Sequence, residues 1–274
     1  MHSKMSDGAL EPGEMVLLAR RKGISCISLT DHDSVKGISG ALAAGNEQNV
    51  EVIPGIEISC NYKDGEIHIL GYFIHWQAPL LAEYTDKVTA YRRDRGAMMV
   101  ERLNKLGYTL TMEDVSTQAG SVYIGRPHVA KALVRKKYVR SIEEAFIKLL
   151  SRGQPGYVEQ YHMTPFEAVE LVLACGGVPV LAHPGIFTSA QGVPEELIGR
   201  LIAAGLMGIE VYHIKHGILA TGYYLAMAQS KKLLITGGSD CHGGINGMIL
   251  VGKILLPYKY VSRIKDAWKE FYGK

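Results

Sequence analysis

Histidine and carboxylate side chains accompany short apolar runs along this chain. Five runs carry or directly precede such residues: Asp31, His32 and Asp33 after ISLT, Glu57 within VIPGIEIS, His68 within EIHILGY, His183 after VPVLA, and Asp240 and His242 after LLITGGS. If the runs are strands of one parallel barrel, their carboxyl ends lie on the same face, so residues far apart in sequence meet there. Imidazole and carboxylate groups are ligands that suit zinc, manganese and iron ions. The pattern therefore predicts a cluster of divalent metal ions.

Each of these residues also has a purely structural interpretation. A single histidine at a strand end is commonly a hydrogen-bonded structural residue, and the TDHD segment at Thr30–Asp33 could cap the next helix. Glu57 is harder to explain in this way, because burying a carboxylate without a partner is costly. The joint occurrence of such residues on five runs favours a functional site.

The first ten residues, MHSKMSDGAL, contain further residues of the same kind. His2, Asp7 and Gly8 precede any core-forming run. The first residues of a chain are commonly frayed. We interpret this segment instead as part of the same predicted site.

Composition excludes several classes of protein. The 274 residues are 47% hydrophobic and 21% charged, which is typical of a globular protein, and the net charge of +3 is too small to indicate a nucleic-acid or membrane-surface protein. No apolar run approaches the roughly 20 residues that a membrane span needs. The cysteines Cys26, Cys60, Cys175 and Cys241 occur singly, and no signal-peptide-like segment opens the sequence. We therefore expect a cytoplasmic protein with free thiols.

The apolar runs alternate with helix-like segments. PGEMVLLARRKG is amphipathic and ends at Gly23, the β-branched run ISCISLT follows, and residues 34–49 are helix-like before the strands VEVIPGIEIS and EIHILGYFI. From residue 165 the alternation resumes, with the predicted strands GVPVLAH, GIEVYH and LLITGGSDCH between helices and a closing amphipathic helix that ends at residue 274. This alternation predicts a parallel α/β fold.

The middle of the chain has a different pattern. Residues 78–159 have helical periodicity and basic clusters at residues 92–95 and 135–137. We predict an α/β core domain formed by residues 1–77 and 160–274, and a helical insertion, or cap, at residues 78–159. The core has six predicted strands. A closed barrel usually has more, so either the sheet is open or a strand is missing from the front.

Six motifs resemble one protein family in their order along the chain: HSKMSDG, LTDHDS, GIEIS, HILGY, AHPG and GSDCH. Together they closely resemble the PHP (polymerase and histidinol phosphatase) metal-dependent phosphoesterases. The resemblance is strongest to the branch with a helical insertion, which includes the 3',5'-nucleoside bisphosphate phosphatases and the 5'-to-3' exoribonuclease RNase AM. It extends over nearly the whole chain and implies a distorted (βα)7 barrel that holds two to three divalent metal ions.

The start of the chain departs from the family pattern. The family begins with a strand that ends in D-L-H-x-H-S-x-x-S-D-G, so His2 matches the second histidine and Met1 occupies the x position. The first histidine and its strand have no counterpart in the sequence. The resemblance therefore leads us to expect that the first strand is missing here and that extending the chain upstream would restore a D-L-H segment.

The resemblance implies which residues bind each metal ion. Carried over by position, the first ion takes His2, Glu57 and Asp240, the second takes Glu57 as a bridge with His68 and His183, and the third takes Asp7, His32 and His242. The ions are expected to be Mn²⁺, Zn²⁺ or Fe²⁺. Two such cations lower the pKa of a water between them and contact the phosphoryl oxygens. The resemblance accordingly assigns catalysis to Glu57, Asp240 and His183.

Substrate recognition is expected in the predicted insertion. The segment YIGRPHVAKAL places Arg126 and His128 at the start of a helix, and it matches an R-x-H segment of the family branch. Arg126 could hold a phosphate through two parallel hydrogen bonds, although an arginine at a helix end can also be merely solvated. Tyr157, in GQPGYV, is expected near a base or sugar. Either His213 or His216, which follow GIEVYH, could contact substrate, but we expect them at the surface or behind the ligands.

The function implied by the resemblance is hydrolysis of phosphate monoesters by a hydroxide held between two metal ions. The implied substrate is a small phosphorylated nucleotide, such as a 3',5'-nucleoside bisphosphate, or the 5' end of a short RNA; neither a membrane nor stable duplex DNA is expected as a partner. Histidinol phosphatase shares the fold and chemistry, but the arginine-bearing insertion fits the nucleotide branch better. A catalytically silent metal-binding domain is the third alternative, supported by the missing histidine and opposed by the eight matching ligand positions.

Overall fold

The computed structural model describes residues 1–63, 65–117, 124–159, 161–186, 192–244 and 249–273. The chain divides into two compact units. The first comprises Met1–Glu83 and His162–Lys274, and the second comprises Tyr84–Tyr161.

Strands and helices alternate through much of the chain. The strands are β1 (Cys26–Leu29), β2 (Glu51–Tyr62), β3 (Gly65–Tyr72), β4 (Val178–Leu181), β5 (Gly208–His213) and β6 (Leu234–Gly238). The helices are α1 (Pro12–Arg21), α2 (Ile38–Gln48), α3 (Pro79–Lys105), α4 (Met112–Ser116), α5 (Arg126–Arg135), α6 (Ile142–Ala145), α7 (Pro165–Ala174), α8 (Glu195–Ala203), α9 (Ile218–Ser230) and α10 (Lys259–Tyr272). A π-helical turn (Phe146–Leu150) follows α6, and a 3-10 turn (Pro184–Ile186) follows β4.

The six strands form one sheet in the order β1-β2-β3-β4-β5-β6. β1 is parallel to β2, and β4, β5 and β6 are parallel to one another, whereas β3 is antiparallel to both of its neighbours. The predicted α/β class is confirmed, but the prediction of a parallel layout is wrong for β3. Two residues separate the end of β2 at Tyr62 from the start of β3 at Gly65, and the first of them, Lys63, has a φ of 51°. A parallel neighbour would need a crossover of a dozen or more residues.

Local sequence explains where two helices of the first unit, α1 and α7, begin. Pro12 is the first residue of α1, and the Glu11 N–H donates to Glu14 Oε2 over 2.8 Å. The Thr164 N–H donates to Glu167 Oε2 over 2.7 Å, and the Glu167 N–H donates back to Thr164 Oγ1, which is a capping box for α7. These caps satisfy backbone donors that have no partner within the helix.

Two apolar clusters in the first unit pack helices against the sheet. In one, Met15 and Ala19 of α1 pack with Leu29 of β1 and Ala41 of α2. In the other, Val180 of β4 lies in a cluster that includes residues of β3 and α10. Burial of these side chains fixes the strands whose ends carry the predicted ligands.

The second unit is helical in its described residues. Its core contains Met99 and Leu103 of α3, Val129 and Leu133 of α5, and Leu150 of the π-helical turn. That residues 78–159 form an insertion, or cap, of the α/β core remains a proposal.

No helix in the described parts of the chain combines the length and the apolar character that a membrane crossing requires. The longest, α3, has 27 residues and carries the charged run Arg92–Arg95.

Candidate metal centre

The eight predicted ligand side chains gather in one cluster in the first unit. Three overlapping groups have ligand atoms within 4.8 Å of one another: His2, Asp7, His32 and His242; His32, Glu57 and His68; and His2, Glu57 and Asp240. His183 joins them, because its Nε2 lies 3.0 Å from Glu57 Oε1 and 3.2 Å from His68 Nδ1. The structure therefore brings these residues together, while their role as metal ligands remains a prediction.

Glu57 lies at the centre of the cluster. The residue is 2% exposed, and its Oε1 is 2.8 Å from His68 Nδ1 and 3.0 Å from His183 Nε2. Its Oε2 is 3.0 Å from His2 Nε2. One buried carboxylate thus contacts three imidazole rings.

The antiparallel pairing of β2 and β3 brings His68 to this carboxylate. Glu57 pairs with Leu70 and Ser59 pairs with His68, so Glu57 and His68 are diagonal neighbours across the two strands. Such neighbours lie on the same face of the sheet. Glu57 and His68 are therefore placed within strands rather than at their ends.

His2 is held by its backbone as well as by its ring. The His2 N–H donates to Cys241 O over 2.9 Å, and the Thr30 N–H donates to Met1 O over 2.9 Å. His2 Nε2 lies 2.9 Å from Asp240 Oδ1, and the side chain is 1% exposed. The first residues are therefore not frayed but lie between the segments that follow β1 and β6.

Asp7, His32 and His242 form the other side of the cluster. His242 Nε2 is 3.4 Å from Asp7 Oδ2. The rings of His32 and His242 stack on His2, with centroid distances of 4.4 and 4.3 Å. The first predicted ligand set, which contains His2, therefore directly adjoins the third, which contains Asp7.

The two aspartates of the TDHD segment organise the loops rather than capping a helix. Asp31 accepts hydrogen bonds from the Ser3 N–H at 2.6 Å and from Ser6 Oγ at 2.7 Å, and Asp33 accepts one from the Ser59 N–H at 2.9 Å. The next helix, α2, has Gly37 at its N-cap and no side-chain capping hydrogen bond. The capping alternative for TDHD is therefore wrong.

Three residues of the site region have left-handed backbone conformations. Asp33, His183 and Asp240 have φ angles of 49°, 24° and 49°. Such conformations cost roughly 1–3 kcal/mol each in residues other than glycine and are concentrated at functional sites. All three follow the ends of strands, where the chain turns sharply.

The carboxylates are stabilised in their ionised form. Burial alone would raise the pKa of Glu57, but the charges of His32 and His68 and a hydrogen bond from His183 hold that pKa well below its usual value. Burial likewise opposes ionisation of Asp240, whose pKa is lowered by its hydrogen bond with His2. The cluster therefore presents negative charge to its imidazoles.

The imidazoles differ in their affinity for protons. Burial opposes protonation of all of them, but hydrogen bonds with Asp240 and Glu57 raise the pKa of His2 to about 9. The Glu57 charge and hydrogen bond raise that of His68 to about 10. Burial prevails at His32 and lowers its pKa to about 4.

The residues present fit a cluster of divalent metal ions. The donor set consists of imidazole and carboxylate groups, which suits zinc, manganese or iron. Among the described residues, His2 Nδ1 and His32 Nδ1 are buried and have no hydrogen-bond partner. His68 Nδ1 and His183 Nε2 approach within 3.2 Å, an arrangement in which both lone pairs can bind one cation.

Glu210 of β5 is a buried carboxylate that the sequence analysis missed. It is 5% exposed, and its Oε2 accepts a hydrogen bond from the His183 N–H over 2.9 Å. Burial raises the pKa of Glu210 to about 7. The clue was the one used for Glu57, a lone carboxylate in an apolar strand, GIEVYH.

His213 and His216 lie beside His183 rather than among the proposed ligands. The buried ring of His213 is 5.4 Å from that of His183. His216 Nε2 accepts a hydrogen bond from the Gly185 N–H over 3.1 Å, and its Nδ1 donates to Val211 O over 2.9 Å. His216 therefore ties the loop after β4 to β5.

The predicted substrate residues lie in the second unit, in the first turn of α5. His128 Nδ1 accepts a hydrogen bond from the Gly125 N–H over 3.0 Å, which helps to cap the helix. The Arg126 guanidinium lies 5.6 Å from the ring centroids of both Phe146 and Tyr157. Tyr157 thus contacts Arg126, and a role for these residues in substrate binding remains a proposal.

Comparison with known proteins identifies the family. The family model for the PHP domain matches residues 1–170. The chain belongs to the PHP domain family. The PHP relatives include a 3',5'-nucleoside bisphosphate phosphatase from Chromobacterium violaceum, 31% identical over 88% of this chain and 85% of the relative. They also include the 5'-3' exoribonuclease Rnm of Escherichia coli, 30% identical over 98% of this chain and 91% of the relative.

A solved structure supports the same assignment. The crystal structure of a protein from Bifidobacterium adolescentis, described as a metal-dependent phosphoesterase, matches 96% of this PHP chain and 93% of its own chain. The TM-score is 0.79 and the sequence identity is 30%. The predicted family and enzyme class are confirmed: the protein is a hydrolase of the metal-dependent phosphoesterase class.

Proposed function

We propose that this PHP protein hydrolyses phosphate monoesters of nucleotides and that 3',5'-nucleoside bisphosphates are its preferred substrates. The observation that carries the proposal is the buried Glu57 carboxylate, which lies within 3.0 Å of nitrogen atoms of His2, His68 and His183. The similarity to a bisphosphate phosphatase over most of the chain supports the choice of substrate.

The cluster provides three overlapping ligand sets. We assign the first set to His2, Glu57 and Asp240, the second to Glu57, His68 and His183, and the third to Asp7, His32 and His242. When bound, divalent cations at such sites polarise a phosphoryl oxygen and lower the pKa of a water molecule. Mn²⁺, Zn²⁺ and Fe²⁺ are the candidate ions.

The protein's own residues hold this arrangement rigid before substrate binds. Glu57 joins the first two sets because its two carboxylate oxygens face different imidazoles. Glu210 fixes the backbone of His183, and Asp31 fixes the loop that carries His2 and Asp7. Catalytic groups that need no rearrangement lower the cost of reaching the transition state.

Arg126 is the proposed contact for the second phosphate of a bisphosphate. Its guanidinium lies near the rings of Phe146 and Tyr157, and it occupies the first position of α5. A guanidinium binds phosphate through two parallel hydrogen bonds, and the amino end of a helix attracts anions. His128, in the same turn, is the second proposed substrate contact.

Hydrolysis at the 5' end of short RNA is the second candidate function. In the second unit the Lys87 ammonium lies 4.6 Å from the Tyr161 ring centroid, and the rings of Tyr91 and Tyr161 are 5.8 Å apart. Cations beside aromatic rings suit the phosphates and bases of a single strand. The similarity to the exoribonuclease Rnm over 98% of this chain adds to this alternative.

A direct comparison of substrates tests the proposal. Purified protein with Mn²⁺, Zn²⁺ or Fe²⁺ is supplied with adenosine 3',5'-bisphosphate, a short 5'-phosphorylated RNA or histidinol phosphate, and kcat/KM is measured for each. We expect the bisphosphate to be the best substrate, and Glu57→Gln is the inactive control. A higher kcat/KM for RNA than for the bisphosphate would establish the second candidate function. A preference for histidinol phosphate would refute both candidates. Metal binding without turnover of any of the three substrates would indicate a catalytically silent domain.

A further inference from the structure

Glu66 contacts the side of His68 that faces away from the proposed ligands. Glu66 Oε1 lies 2.9 Å from His68 Nε2. On the opposite side of the ring, His68 Nδ1 lies 2.8 Å from Glu57 Oε1 and 3.2 Å from His183 Nε2. The two nitrogens of His68 therefore have different partners.

We propose that Glu66 is a positioning residue that holds the His68 ring with Nδ1 directed toward the second metal set. This inference rests on the proposed metal sites but not on the identity of the substrate. It goes beyond the ligand assignment because Glu66 itself is placed outside every ligand group.

The hydrogen-bond chemistry determines which nitrogen remains available. An ionised carboxylate only accepts hydrogen bonds, so the Glu66 contact requires the proton of a neutral His68 ring to lie on Nε2. The lone pair is then on Nδ1, the atom that faces Glu57 and His183. A carboxylate on the far nitrogen of a ligating histidine fixes the tautomer and the orientation of the ring and increases the basicity of the ligand nitrogen.

The position of Glu66 on the fold suits this role. Glu66 and His68 are two residues apart on β3, so both side chains lie on the same face of the strand. Glu66 is 54% exposed, whereas His68 is 17% exposed. Glu66 therefore lies on the solvent side of the histidine, where its replacement leaves no cavity in the core.

Metal binding measured without substrate tests the proposal. Glu66→Ala, Glu66→Gln and the matched control Glu47→Ala, an exposed glutamate of α2, are titrated with Mn²⁺ or Zn²⁺ against a chelator. We expect Glu66→Ala to weaken one binding step by about 10–100-fold, the range seen when such outer partners are removed. Glu66→Gln retains an acceptor oxygen, so we expect its loss of metal affinity to be clearly smaller.

The same variants allow a spectroscopic test that needs no turnover. Nitrogen NMR of the histidine rings in the metal-loaded protein is expected to show His68 as a single tautomer with its proton on Nε2. In Glu66→Ala we expect that His68 is no longer held in this single tautomer. The proposal is overturned if every binding step of Glu66→Ala stays within about twofold of the wild type. It is also overturned if Gln, Ala and the Glu47 control all cause equal losses. A failure of the nucleotide assay would leave these results unaffected.

Discussion

The two units of this protein carry charge in different ways. In the first, Glu57 is buried among three imidazoles, and opposite charges lie within hydrogen-bonding distance. In the second, the Arg126 guanidinium lies near the rings of Phe146 and Tyr157. The first arrangement concentrates ligand atoms for small cations, whereas the second presents a cation that suits an anion.

The difference indicates how the proposed activity is divided. The positions of the imidazoles and carboxylates are determined by strands and by strained turns such as those at His183 and Asp240. Arg126 depends instead on a helix start and on neighbouring rings. We therefore expect changes in the first unit to affect metal binding and kcat, and changes at Arg126 to affect substrate binding.

The largest expected effect follows from Glu57→Gln. The substitution removes the charge shared by the first two proposed metal sets while preserving the size of the side chain. We expect kcat to fall by at least about 10²–10³-fold, because the cations that this carboxylate would hold stabilise the transition-state charge, and loss of one such stabilising group costs about that much. Steady-state kinetics and metal content are measured together, with Glu47→Gln as control. A variant that retained both metal content and kcat would contradict the central role of Glu57.

Metal binding is expected to release protons from the first unit. His2 and His68, with pKa values of about 9 and 10, are protonated at pH 7 in the metal-free protein, whereas His32, with a pKa of about 4, is already neutral. Since a ligand nitrogen must lose its proton, apparent affinity should rise with pH by about tenfold per unit for each proton released, until the pH exceeds these pKa values.

Calorimetry in buffers of different ionisation enthalpy measures this proton release. We expect more protons per metal ion at pH 7 than at pH 10, and no change in the number on replacing His128, a histidine of the second unit, with Ala. The interactions that raise the pKa of His2 also stabilise the metal-free fold. This stabilisation is fully present below pH 6.5, the ordinary pKa of histidine, and is lost as the pH rises through about 9. An affinity independent of pH from 7 to 9 would show that neither imidazole titrates on binding.

Arg126→Ala tests the proposed role of the second unit in substrate binding. The loss of one charge-assisted phosphate contact is expected to raise KM for a 3',5'-bisphosphate by roughly tenfold or more and to leave KM for a monophosphate nearly unchanged. The effect on kcat should be small. Arg93→Ala, an exposed arginine beside Asp94, is the matched control. Equal losses for both substrates would remove the proposed role of Arg126.

Much of the site could be predicted because its residue types are unusual in their positions. Glu57 and Asp240 are polar groups where a core strand or its end is expected, and such groups are costly to bury without partners. His2 precedes any core-forming run and was identified by its match to the family motif. Glu210 gives the same indication in GIEVYH but was missed, since no matched motif drew attention to it. Glu66 could not be identified, because an exposed glutamate on a strand is ordinary until its distance to His68 is known.

The direction of β3 was not evident from its sequence. An apolar run has the same period of two whether the strand is parallel or antiparallel to its neighbours. The distinguishing feature was the short connection from Tyr62 to Gly65, which leaves no room for a crossover helix. The helix starts at Pro12 and Pro165 were predictable because proline and capping residues act locally.

The smallest expected effect compares equivalent helix caps in the two units. Thr164 caps α7 in the first unit, and Thr111 caps α4 in the second, where the Asp114 N–H donates to Thr111 Oγ1 over 3.1 Å. Each Thr→Ala substitution removes one acceptor for a backbone N–H and should lower the free energy of unfolding by about 1 kcal/mol. Urea denaturation measures this loss, with the corresponding Thr→Ser variants as controls that retain the hydroxyl. Because neither threonine contacts the proposed ligands or Arg126, we expect kcat, KM and metal affinity to stay within about twofold of the wild type. A larger change in metal affinity for Thr164→Ala than for Thr111→Ala would show that the start of α7 helps to hold the metal centre. In the first unit, the stability of this helix and the metal affinity would then not be independent.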